Sequence, residues 1–304
     1  MVEHSDSRLM SGTELARTIL VRTADRARHL TEASGTPPCL ATVLVGDDPA
    51  SATYVRMKTR RCAQAGITSR PLHLPATTRT SELVEVIAGL SGDPEVHGIL
   101  LQHPVPAHID ERAAFEAIAV HKDVDGVTMR SLAAMSLGLP GFVSCTPGGI
   151  MRLLDHYRVD LAGKHAVVIG RSPILGKPIA MLLLGRDATV TICHSHTQNL
   201  SRLVRAADIV VAAAGHPHLI PGGDIAPGAV VIDAGYNPGN IGDVDVDHTR
   251  THASLITPVP GGVGPMTIAV LLEQTVAAAL TQLVRQRQRS ATPDAATTIP
   301  GPHQ

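Results

Sequence analysis

The chain has 304 residues, 44% of them hydrophobic and 17% charged, with a formal net charge of −1. That length exceeds the usual single-domain size and the composition is that of a soluble globular protein, so two domains are expected. Balanced charge and scarce aromatics (no Trp, three Tyr, two Phe) argue against nucleic acid, an anionic membrane surface and a base-stacking platform.

Strand-like and helix-like patterns alternate along the chain. Helical periodicity covers 12–33, the apolar run 38–46 reads as a buried strand, and helix resumes over 49–65. A short strand (69–74), a helix (80–92) and an apolar strand opening into a Pro-rich loop (96–104) follow. Residues 126–147 are rich in small and turn-forming types and read as a domain junction. A helix over 147–157 leads to strands at 164–170, 188–194, 209–215 and 228–235, with helices at 176–185 and 200–208. A long helix spans 266–288, and the Pro-, Thr- and Ala-rich tail 289–304 reads as disordered. This alternation predicts an α/β fold with parallel sheets and right-handed crossovers. The expected units are a catalytic α/β domain over 1–126, to which 266–288 returns, and a Rossmann-like doubly wound domain over 145–265.

Cys39, Cys62, Cys145 and Cys193 are far apart and form no CxxC pair, so they read as reduced thiols of a cytoplasmic protein. The sixteen histidines show no metal spacing, and no metal is expected. The start lacks a basic stretch followed by an apolar one, and no apolar run reaches membrane-span length.

Lysine is rare: four against 22 arginines. Lys58 lies in DDPASATYVRMKTRRC, four residues after Tyr54, so the two share one face of a helix. Unlike arginine, lysine can lose its proton when burial or like charges depress its pKa, and Arg56, Arg60 and Arg61 are close in sequence. Gln102 (LLQHPVP) and Asp125 (HKDVDG) also fall near strand ends. Singly, Lys58 reads as a solvated cation, Gln102 as a loop amide and Asp125 as a turn former. Together with Tyr54 they supply a tunable amine, a phenol, an amide and a carboxylate, which suit a polar heterocycle and an acid/base step.

GRSPILGKP (170–178) follows a strand and opens a helix, where backbone N–H groups can meet a pyrophosphate. Its Gly170, Ser172 and Gly176 depart from G-x-G-x-x-G, so the pattern draws its weight from that context. The next strand ends His194-Ser195-His196, without the carboxylate that holds an NAD ribose; Arg171 and the hydroxyl of Ser195 suit a 2′-phosphate, which favours NADP. Val211–Gly215 and Asp233–Tyr236 end later strands and are expected to line the nicotinamide half.

These residues carry a resemblance. VGDDPASATYVRMK (45–58), GILLQHPVP (98–106), KDVDG (122–126), CTPGGI (145–150), VVIGRSPILGKP (167–178), ATVTICHS (188–195) and ITPVPGGVGPMT (256–267) run in order over about 250 residues. The chain resembles the bifunctional methylenetetrahydrofolate dehydrogenase/cyclohydrolase family. The resemblance implies a two-domain α/β subunit with a cleft, usually a homodimer. It implies oxidation of 5,10-methylenetetrahydrofolate by NADP, then hydrolysis of the 5,10-methenyl product to 10-formyltetrahydrofolate. By the same resemblance Lys58 is the central catalytic group, Tyr54 orients the folate, Gln102 positions the lysine and Asp125 hydrogen-bonds the pterin. Pro260, Gly261 and Gly262 would let backbone approach the folate, and Tyr236 would border the cofactor.

The chain departs from the family pattern at His103, where an apolar residue is usual, at Val127-Thr128-Met129-Arg130-Ser131, and at Ser144. A dehydrogenase with weak or lost hydrolysis, and a non-catalytic folate- or NADP-binding paralogue, are therefore the alternatives. The four pocket residues argue against the paralogue.

Overall fold

The structure, a computed structural model, describes residues 8–291, with the backbone alone for Arg8, Pro49–Tyr54 and Arg289–Ala291. The tail assigned to 289–304 falls outside the described residues from 292 onward.

The described residues open with β1 (Arg8–Leu9) and α1 (Gly12–Ser34), then β2 (Cys39–Val45), α2 (Pro49–Gln64), β3 (Thr68–Leu74), α3 (Thr80–Gly92) and β4 (Gly98–Leu101). The helices α4 (Glu111–Glu116), α5 (Met129–Ser136) and α6 (Cys145–His156) connect to β5 (His165–Ile169) and α7 (Gly176–Leu184). Then come β6 (Thr189–Cys193), α8 (Leu200–Arg205), β7 (Ile209–Ala212), β8 (Val230–Asp233), α9 (Val246–Thr249), β9 (Leu255–Ile256) and α10 (Val263–Ala291).

Two parallel sheets result: a three-stranded one in the order β3-β2-β4 and a six-stranded one in the order β1-β9-β8-β7-β5-β6. β2 is buried at every position and holds the centre of the small sheet. β3 is half-exposed and carries Pro71, which only an edge strand accommodates without losing a ladder bond. On one face of this sheet Val43, Ile99 and Leu101 pack with Leu83 and Ile87 of α3 and Phe115 of α4. On the other, Leu40 and Leu100 pack with Leu271, Leu272 and Val276 of α10.

The same α10 sends Val263, Met266 and Ala269 into the core beneath the large sheet, so one helix serves both cores. Each fully buried Leu or Met of this kind contributes about 1.5–3 kcal/mol through apolar burial. Val263–Gln288 is long and apolar enough to cross a bilayer, contrary to the sequence reading, but 67% of its most apolar window is buried inside the protein. Polar links add to the union: Glu273 of α10 pairs with Arg152 of α6 and, at 3.9 Å, with Arg26 of α1. β1 precedes the small sheet in sequence yet pairs with β9 of the large one, Arg8 opposite Leu255.

Candidate active site

Lys58 projects from α2 and donates from Nζ to Oε1 of Gln102 at 2.8 Å. Gln102 follows β4 and is buried; its amide nitrogen donates to the carbonyl of His103 at 2.8 Å. Both ends of the amide are committed, so its oxygen is presented to the amine. Lys58 and Asp125 are only partly shielded from solvent, yet burial is the largest influence on the pKa of each. They belong neither to open surface nor to a sealed core.

Burial lowers the pKa of Lys58, while Asp125, Cys145 and Cys62 pull it the other way. The arginines expected to help, Arg56, Arg60 and Arg61, lie on exposed positions of α2, where solvent screens them. Burial raises the carboxyl of Asp125, opposed first by His103, then by Lys58 and a hydrogen bond with Cys145. Both groups are thus pushed toward their neutral forms and pulled back by each other. Tyr54 lies one turn before Lys58 on α2, and its side chain is outside the described residues.

The motif KDVDG divides its labour. Lys122 is 2% exposed and donates to the carbonyls of Leu90 (3.1 Å) and Asp93 (2.5 Å) at the end of α3. Asp123 accepts from the backbone of Val127 and Thr128, both at 3.0 Å, and from Ser131 Oγ at 2.5 Å. Thr128 then caps α5 through Ser131 N–H at 3.2 Å, so the departing segment 127–131 is a well-held helix start. Val124 enters the core, and Gly126 has φ 64° with Val143 directly behind it, so that of the motif's two acids Asp123 holds backbone while Asp125 faces Lys58 and Cys145. Ser144 bonds the carbonyl of Gly126 at 2.9 Å. Sequence reasoning missed Lys122, Asp123 and also Gln274 of α10. Gln274 donates to the carbonyls of Val124 (2.8 Å) and Val143 (2.9 Å) and accepts from Val143 N–H (3.1 Å).

At the second site, Gly170 has φ 131°, and a Cβ there would strike the carbonyl of Ala213; a Cβ on Gly176 would strike that of Gly170. The two glycines let the turn pass against β7 and the helix pack on the turn, leaving a backbone cradle that fits a dinucleotide pyrophosphate. Ser172 stands where a further glycine is usual, and its Oγ accepts the N–H groups of Leu175 (3.1 Å) and Gly176 (3.3 Å). Ile169 and Cys193 are paired in register, and Arg171 and Ser195, each two residues beyond the end of these adjacent strands, are both exposed. No carboxylate occupies the end of β6, where His194 N–H bonds Thr197 Oγ1 at 2.8 Å. Ile174 of this turn packs against the core that contains Phe115, which brings the turn to the first unit. Tyr236 is 57% exposed after β8, whereas Asp233, expected to line the crevice, is buried at 1%.

Pro260–Gly262 meets the start of α1. The carbonyl of Gly261 accepts from Gly12 N–H (2.9 Å), Thr13 N–H (3.1 Å) and Thr13 Oγ1 (3.2 Å), and a Cβ on Gly12 would collide with Gly262. The glycines therefore close the junction between α1 and α10.

Residues 10–125 match the catalytic-domain profile of the tetrahydrofolate dehydrogenase/cyclohydrolase family, and 144–283 match its NAD(P)-binding domain. Bifunctional protein FolD 1 of Streptomyces avermitilis is 73% identical over 277 residues, covering 91% of this chain and 96% of that one. Its counterpart in Salinispora arenicola is 63% identical over 271 residues, covering 89% and 97%. Among solved structures, the bifunctional enzyme FolD from Campylobacter jejuni is 44% identical, with TM-score 0.88 and coverage of 91% and 99%. The Trypanosoma brucei methylenetetrahydrofolate dehydrogenase-cyclohydrolase, complexed with NADP and an inhibitor, is 36% identical with TM-score 0.88, covering 92% and 99%. With both domain profiles matched in order and the paired Lys58 and Gln102 in place, the chain belongs to the tetrahydrofolate dehydrogenase/cyclohydrolase family.

Proposed function

We propose that the chain oxidises 5,10-methylenetetrahydrofolate with NADP and hydrolyses the resulting 5,10-methenyltetrahydrofolate to 10-formyltetrahydrofolate. The observation that carries this is the 2.8 Å bond from Lys58 to Gln102 beside Asp125, where burial lowers the amine's pKa.

Bound NADP would supply the acceptor for the hydride that leaves the methylene carbon. The backbone of Gly170–Gly176, shaped by Ser172, would hold its pyrophosphate, Arg171 and Ser195 its 2′-phosphate, and Tyr236 would border the nicotinamide. Hydride loss leaves the folate carbon cationic. Water then adds to that carbon and gives up one proton, leaving a carbinol; as the carbinol loses its hydroxyl proton and N5 takes up a proton, the bond to N5 breaks to give the N10-formyl product. A neutral Lys58 accepts the proton through its lone pair, while one of its N–H groups is held by Gln102. An arginine has no lone pair to offer at any working pH. Asp125 offers its carboxyl to the pterin, and Tyr54, Pro260, Gly261 and Gly262 complete the folate pocket. Binding and orientation are the protein's main contribution to the hydride step.

Family membership supports a cytoplasmic homodimer with tetrahydrofolate one-carbon derivatives as its partners; sedimentation of the purified protein tests the dimer. Activity is tested by mixing protein, methylenetetrahydrofolate and NADP and following methenyl absorbance. A rise followed by accelerated decay supports both steps. A rise alone limits the chain to dehydrogenation, a reading that His103 and segment 127–131 motivate, and no change removes catalysis altogether.

A further inference from the structure

In the large sheet β5 is flanked by β6 on one side and β7 on the other, so the strand order reverses between β5 and β7. A dinucleotide binds outside the carboxyl ends of strands at such a point. One wall of that crevice is the glycine turn after β5. The other is Ala213-Ala214-Gly215 after β7, and the walls abut where Gly170 meets Ala213. This second wall has no side chain larger than a methyl, so its placement depends on what holds its backbone.

Asp243 holds it. One carboxylate oxygen accepts the N–H groups of Ala214 (2.7 Å) and Gly215 (2.9 Å), and the other accepts Asn237 Nδ2 (3.0 Å). Asp243 is fully buried at 0% exposure, and its own N–H donates to Asp233 at 3.0 Å. Asp233 also accepts from Gly235 N–H (2.9 Å) and Val244 N–H (3.0 Å). Two glycines admit the carboxylates reciprocally: a Cβ on Gly235 would strike Asp243, and one on Gly242 would strike Asp233. The loop between β8 and α9 is thereby interlocked with the loop after β7.

We infer that Asp243 is a positioning residue for the dinucleotide: by clamping the backbone of Ala214 and Gly215 it fixes the crevice wall opposite the glycine turn, with Asp233 seating Asp243. The inference rests on the NADP reading above. It separates the two activities, because oxidation needs the dinucleotide and hydrolysis at Lys58 does not. An amide at position 243 cannot satisfy all three donors, since whichever way it turns its NH2 faces another N–H.

The test uses Asp243→Asn and the milder Asn237→Ala in the full chain. NADP affinity is measured by calorimetric titration, and hydrolysis is measured from methenyltetrahydrofolate with no dinucleotide present. The expected result is a Kd for NADP raised about tenfold or more in D243N and several-fold in N237A, with hydrolysis within about twofold of wild type, as loss of hydrogen bonds to a charged group implies. Wild-type NADP affinity in a folded D243N overturns the inference. If D243N does not fold, unchanged NADP affinity in N237A overturns it, as does equal loss of hydrolysis and NADP binding in N237A. Wild-type protein that binds no NADP sinks the cofactor reading before any variant is compared, and the inference with it.

Discussion

Lys58 and Gln102 meet from different elements, α2 and the end of β4, and their 2.8 Å bond fixes where the amine points. The bond leaves the lysine's remaining valences free for chemistry, and the surrounding protein favours their being uncharged.

Replacing the amine by a permanently charged group removes the proton acceptor. Lys58→Arg is expected to lower hydrolysis of methenyltetrahydrofolate by about 10²–10⁴-fold, the range of a general acid/base contribution, and to leave NADP affinity unchanged. Near-normal hydrolysis by this variant in a direct absorbance assay would refute the role.

Gln102→Glu keeps the acceptor oxygen but adds a negative charge beside Lys58. An opposite charge stabilises the ammonium, so the lysine's pKa rises and a higher pH is needed to free its lone pair. The pH profile of hydrolysis should move toward alkaline values, with reduced turnover at neutral pH. A profile that stays in place, or moves toward acid, contradicts a neutral amine as the working form.

His103→Leu addresses the departure beside the glutamine. The charge of His103 is the largest influence opposing the burial-driven rise of Asp125. Without it the carboxyl should titrate still higher. The acidic limb of folate kcat/KM, where Asp125 becomes protonated, should therefore shift to higher pH. An unshifted limb means that Asp125 does not control folate binding or that His103 does not act on it.

Asp233 gives a stability prediction. Burial pushes its carboxyl from 3.8 up to about 6, against three backbone donors. An acid whose pKa is raised by folding stabilises the fold when protonated and loses that contribution as pH rises through the folded value. The difference corresponds to about 3 kcal/mol across roughly pH 4 to 6. Urea unfolding across this window should show wild type losing more stability with rising pH than Asp233→Asn. Parallel curves for the two proteins count against a raised carboxyl.

Position along the chain exposes some of this and hides the rest. The α–β alternation was legible because long apolar periods leave a pattern: the buried run of β2 and the amphipathic face of α1, with Ala16, Ile19, Thr23, Ala27 and Leu30 inward, need no partner to be seen. The two-residue strands β1 and β9 carry no period and are defined by pairing across the molecule, β1 with β9 and β9 with β8. Lys58 drew notice as one of few lysines, but its sequence neighbours misled: the arginines face solvent, and burial tunes the amine.

By itself, then, the amino-acid sequence determined the parallel α/β architecture, the glycine turn without a ribose carboxylate, and the candidate set Lys58, Gln102 and Asp125, because each depends on local residue types and spacing. Only the tertiary structure decided that Lys58 bonds Gln102, that Gln274 staples Val124 to Val143 from far along the chain, and that Asp233 and Asp243 turn inward onto backbone. Burial and long-range hydrogen bonding are properties of the packed molecule, and they set both charge state and direction.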